Sequence, residues 1–86
     1  MTRQPPGTRA AYRAFVPLQT RWDDMDAYGH LNNAAYLALF DTAVSLWQIA
    51  NGIAITGPEA WRFVVVETGC RYHAELAFPD RLAAGL

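Results

Sequence analysis

Lysine is absent from this 86-residue chain, and cysteine and serine occur once each. The seven cations are all arginines, placed singly at 3, 9, 13, 21, 62, 71 and 81, and the net charge is −1. No basic run or stripe can follow a phosphate backbone, which argues against nucleic acid as the main partner. A lone Cys70 builds neither a disulfide framework nor a cysteine zinc site. Ser45, the only serine, falls inside a helical pattern and not on a nucleophile elbow, so a Ser-His-Asp triad has little support. No apolar run is long enough to span a bilayer, and residues 1–13 lack the apolar core of a signal peptide. The expectation is a soluble cytoplasmic protein with no membrane segment.

What the chain has in abundance is apolar surface. Hydrophobic residues make up 52% of it and aromatic residues 13%, well above what a disordered chain carries. A body this small buries about 60–65% of its unfolded surface. The surplus predicts an interface, with a second copy or with further chain.

Residues 1–11, with Pro5-Pro6-Gly7, read as a flexible leader, and residues 12–86 as part of a single domain. Residues 12–22 look extended, because Tyr12, Ala14, Val16 and Leu18 alternate onto one face. Pro17 within that run indicates an edge position or a bulge; the competing reading is an irregular arm. Residues 23–32 form an acidic loop. Asn32 or Asn33 can cap the helix that follows over residues 34–50. Its apolar set is Tyr36, Leu37, Leu39, Phe40, Val44, Leu46, Trp47 and Ile49, with Asp41, Ser45 and Gln48 as a narrow polar stripe. A helix so apolar is expected to be wrapped by other structure. Asn51-Gly52 is a stop signal. Residues 62–76 predict a long strand, rich in β-branched residues at its start. Residues 78–80 predict a turn, and residues 81–86 the opening of another strand. The order strand, helix, strand, strand makes the fold class α+β.

The chemistry concentrates between residues 23 and 33. Asp23, Asp24, Asp26 and His30 precede a helix N-terminus, where unpaired N–H groups and the macrodipole favour developing negative charge. A carboxylate beside such an oxyanion site is a usable catalytic arrangement. Other readings compete. A calcium loop needs a further oxygen ligand and a terminal glutamate where Tyr28 and Ala35 stand. A divalent cation could draw on the aspartates, but no second His or Cys joins them, and an acidic loop capping a helix explains them as well. Cys70 and His73, three apart in a strand, would face opposite ways, which favours Cys70 as a packing residue. Arg71 and His73 can pair with Glu67 or Glu75 as ordinary cross-strand charges.

The run Asp24-Met-Asp26-Ala-Tyr-Gly29-His30-Leu-Asn32-Asn33-Ala-Ala-Tyr36 resembles the opening of hotdog-fold acyl-CoA thioesterases, nearest to the 4-hydroxybenzoyl-CoA thioesterase-like group. Val64-Val65-Val66-Glu67, Arg71-Tyr72 and Leu76-Ala-Phe-Pro79-Asp80-Arg-Leu82 are similar to that family's second strand and the turn into its third. The resemblance implies a hotdog fold, a long central helix wrapped by an antiparallel sheet, with residues 12–86 its N-terminal portion and the chain ending after the second or third strand. It implies hydrolysis of acyl-CoA, with Asp26 as general base or nucleophile and the Asn33 N–H as oxyanion donor. His30, Asn32, Gly29 and Tyr36 would shape the loop or contact substrate. The resemblance requires no metal and no cofactor, and it implies a homodimer or homotetramer with sites at subunit interfaces. The rival reading is a non-catalytic, truncated hotdog remnant that binds acyl groups or a partner chain.

Overall fold

The computed structural model describes residues 5–61 and 63–86. Residues 1–4 of the expected leader, and Arg62 at the head of the expected second strand, lie outside the described residues. Two strands and one helix make up the regular structure: β1 (Phe15–Gln19), α1 (Asn33–Ala50) and β2 (Arg81–Gly85). One-turn 3-10 helices precede and follow β1, at Arg9–Ala11 and Trp22–Asp24.

The two strands pair antiparallel, from Phe15 opposite Gly85 to Gln19 opposite Arg81. Ala14 and Leu86 exchange both backbone bonds, at 2.8 and 3.2 Å. The two-residue alternation of an antiparallel ladder then places the N–H groups of Val16 and Leu18 toward β2. Position 17 faces away from the ladder, so Pro17 costs it no bond. Val16 and Leu18 are half-buried, and Phe15, Pro17 and Gln19 exposed, the alternation the sequence predicts. Before β1, the Arg9 guanidinium lies 4.1 Å over the Phe15 ring, and Tyr12 meets that ring edge-on.

Local chemistry sets both ends of α1. Asn32 is the N-cap: its side-chain oxygen accepts from the Ala34 N–H at 2.9 Å. At the other end, the Ile53 N–H donates to the Gln48 carbonyl and the Gly52 N–H to the Ile49 carbonyl. Gly52 has φ of 77°, where a side chain would be strained, and the whole forms a Schellman stop.

One expectation is corrected. Among the described residues, 63–76 form no strand, although β2 and the 78–80 turn appear where predicted. Strand propensity expresses fit to a pleated, half-buried surface. Here the valines meet no such surface, and Val64 and Val66 are 86% and 96% exposed. The helix keeps much of its apolar surface uncovered, since two strands are too few to wrap it. Ala43 is its one buried residue, and Phe40, Val44, Leu46, Trp47 and Ile49 stay open to solvent. The two strands cover only part of one side of it. The predicted surplus of apolar surface is therefore present as exposed surface.

Candidate active site

Between β1 and the acidic loop stands Thr20, which is fully buried. Its hydroxyl lies 2.9 Å from the Asp80 carbonyl and 3.0 Å from that of Ala77, and its N–H donates to Asp80. These bonds fasten the end of β1 to the turn at 77–80. Asp80 closes that turn, accepting from the Ala77 N–H through its side chain and donating its own N–H to the Ala77 carbonyl. The Phe78–Pro79 peptide within it is cis.

Asp24 is buried and belongs to the scaffold. Its carboxylate accepts from the Arg21 guanidinium and from the Arg21 backbone N–H, both at 2.9 Å. The Arg21 hydrogen bond holds the Asp24 carboxyl below the usual carboxylate range, against the opposing effect of burial. The Asp24 carbonyl accepts from the Asn32 N–H at 2.8 Å, so the same residue ties the loop entrance to the helix cap. Asp23 is exposed, and among the described residues no three His, Cys, Asp or Glu side chains cluster as metal ligands.

Asp26 is half-buried at the start of a tight turn. Its N–H donates to the His30 carbonyl at 2.9 Å, and its carbonyl accepts from the Gly29 N–H at 3.1 Å. Gly29 completes the turn with φ of 77°, a conformation that favours glycine. Met25 and Leu31 bridge just outside it. Asp26 Oδ1 accepts from the Tyr28 N–H, while Oδ2 has no hydrogen bond among the described residues. At the helix start, Asn32 occupies the N–H groups of Ala34 and Ala35. The Asn33 N–H, at the first helical position, lies outside the intrahelical ladder.

A second segment frames this turn, and sequence reasoning missed it. Leu31 donates its N–H to the Leu76 carbonyl at 2.7 Å. His30 Nε2 lies 3.0 Å from Glu75 Oε2. The Tyr72 hydroxyl donates to the Asn33 carbonyl at 3.1 Å, and its ring meets Tyr36 edge-on at 4.9 Å. Burial, reinforced by the Cys70 thiol, raises the Tyr72 pKa above its ordinary value. Trp22 and Phe78 close the outer side. Glu75, one of the two carboxylates the sequence offers to Arg71 or His73 as a cross-strand charge, lies against His30.

Beside the helix start lies a cavity of about 340 Å³, walled by Leu18, Leu39, Phe40, Leu76 and Leu82. Tyr36 and Tyr72 line it, as do both Cys70 and His73, which the strand reading had set on opposite faces. Of the six residues singled out from sequence, Tyr36 alone lines this cavity. Gly29 and His30 close the Asp26 turn, and Asn32 caps the helix whose first position is Asn33.

A family model described as the thioesterase-like superfamily matches residues 20–86, which takes in the acidic loop, α1, the framing segment and β2. The chain belongs to the thioesterase-like superfamily. Its hotdog fold accounts for one long helix lying against antiparallel strands. Among solved structures, the chain is similar to the PA5185 protein from Pseudomonas aeruginosa, with 46% identity and a TM-score of 0.82. The match covers 90% of this chain and 54% of that one, so this thioesterase-like chain spans about half the length of that relative. No functionally curated protein matches it. No helix among the described residues is long and apolar enough to cross a membrane.

Proposed function

We propose that the chain carries the catalytic turn of an acyl-CoA thioesterase. The observation that carries this reading is the placement of Asp26 in a closed turn immediately before the N-terminus of α1. The thioester carbonyl oxygen accepts a hydrogen bond from the Asn33 N–H. As the carbonyl carbon is attacked, negative charge grows on that oxygen, where the helix N-terminus is suited to hold it. Asp26 either takes a proton from water as the hydroxide adds to the carbon, or attacks directly to form an anhydride that water then opens. In both routes the C–S bond breaks, and coenzyme A leaves as thiolate and takes up a proton. The apolar cavity beside Tyr36 and Tyr72 is a site for the acyl group. The working form is a homodimer or homotetramer.

The second reading, a non-catalytic acyl- or partner-binding remnant, draws on the exposed face of α1 and on Val64 and Val66. Release of coenzyme A thiol from a panel of short, aromatic and medium-chain acyl-CoAs separates the two. Steady turnover supports the thioesterase. Acyl-CoA binding without thiol release supports the remnant.

A further inference from the structure

We infer that Glu75 is a positioning residue for Asp26 and acts through its close side-chain contact with His30; its catalytic consequence rests on the reading of Asp26 above. His30 touches both residues. Its carbonyl accepts from the Asp26 N–H at 2.9 Å, and its ring nitrogen Nε2 lies 3.0 Å from Glu75 Oε2. The next residue, Leu31, donates its N–H to the carbonyl of Leu76, the residue after Glu75. Two consecutive loop residues are thus tied to two consecutive residues of the framing segment, one by side chain and one by backbone. A turn held at one point can pivot about it; the second tie removes that freedom.

Glu75 does not line the cavity, although Ala74 and Leu76 do, so its reach to the reacting atoms runs through His30. It is also 74% exposed, and His30 is 45% exposed. A pair this open to water contributes little to global stability. Its influence is local: it resists opening of the turn that carries Asp26.

The test compares Glu75→Ala with Glu75→Gln, whose side chain keeps the length and the polar oxygen that meet His30. Amide exchange of Asp26 and Leu31 is expected to speed up about three- to fivefold in Glu75→Ala, in keeping with an exposed pair. Exchange at Ala43, in the middle of α1, should not change. Glu75→Gln should restore the Asp26 rate to within about twofold. In turnover, Glu75→Ala should lower kcat and leave KM unchanged. An Asp26 exchange rate that stays constant, or that rises only in step with Ala43, overturns the proposal. Exchange is read without substrate. Absence of turnover in the unaltered chain would therefore count against the role of Asp26 and leave the Glu75 contact to be decided separately.

Discussion

Replacing Thr20 with valine isolates the bond that fastens β1 to the turn behind the site. Thr20 is fully buried, and valine has nearly its shape, so the substitution removes the hydroxyl without opening a cavity. The cost depends on what the hydroxyl leaves behind. The Ala77 carbonyl still accepts from the Asp80 N–H, and the Asp80 carbonyl still accepts from the Thr20 backbone N–H and from Gln19 Nε2. Neither oxygen is orphaned, so the full desolvation penalty of about 1–3 kcal/mol does not apply. The loss is that of one net hydrogen bond, about 1 kcal/mol, and the buried methyl of valine offsets part of it. For a domain of this size, 1 kcal/mol corresponds to about 4–8 °C in Tm. Urea unfolding followed by circular dichroism gives the value directly. No change would mean that the hydroxyl bonds are not formed in solution. A loss above about 3 kcal/mol would mean that a carbonyl is orphaned or the turn detached, contrary to the bonding described.

Three further outcomes are expected. Asp24 has a folded pKa below its ordinary value of 3.8 because Arg21 bonds the carboxylate. Its contribution is therefore complete at neutral pH and is lost as pH falls from about 4 through that lower value, so the urea midpoint of the unaltered protein should drop over that window more than that of Asp24→Asn; parallel curves would contradict the pairing. Asn32→Ala removes the side-chain acceptor for the Ala34 N–H and should cost about 1 kcal/mol in urea unfolding, with faster exchange confined to the first turn of α1; unchanged exchange there would refute the cap. Tyr72→Phe keeps the ring against Tyr36 but removes the donation to the Asn33 carbonyl, so kcat should fall by a smaller factor than for loss of Asp26, with KM little changed. A kcat equal to that of the unaltered protein would show that this bond does not hold the oxyanion turn.

The parts of this fold that were legible in the sequence are those set by neighbouring residues. Asn32 caps α1 with its own side chain and Gly52 ends it with its own dihedral, so both boundaries could be read from a few letters. Val16 and Leu18 alternate with exposed neighbours within one strand. Pro79 and Asp80 shape their turn locally. Residues 63–76 are different, because a strand exists only when a neighbour supplies the other half of its ladder, and no composition of valines creates one. The same holds at the candidate site. The D-x-D-x-x-G-H-x-N-N pattern points to Asp26, His30 and Asn33, whose links run through five or six adjacent residues. Glu75, Tyr72 and the Leu76 carbonyl reach that turn from a distant part of the chain. Glu75 looked like any exposed carboxylate of a strand, and Tyr72 like any aromatic. Only the folded arrangement places one at the His30 ring and the other at the first carbonyl of α1.

The central claim is that Asp26 performs the chemistry. Its most direct test is thiol release from an acyl-CoA that the unaltered protein hydrolyses, measured beside Asp26→Asn. Asparagine still accepts the Tyr28 N–H through its side-chain oxygen, so the turn persists while the base and nucleophile are gone. The account predicts a kcat lower by about 10²–10⁴-fold with unchanged amide exchange in α1. Turnover by Asp26→Asn equal to that of the unaltered protein would contradict it.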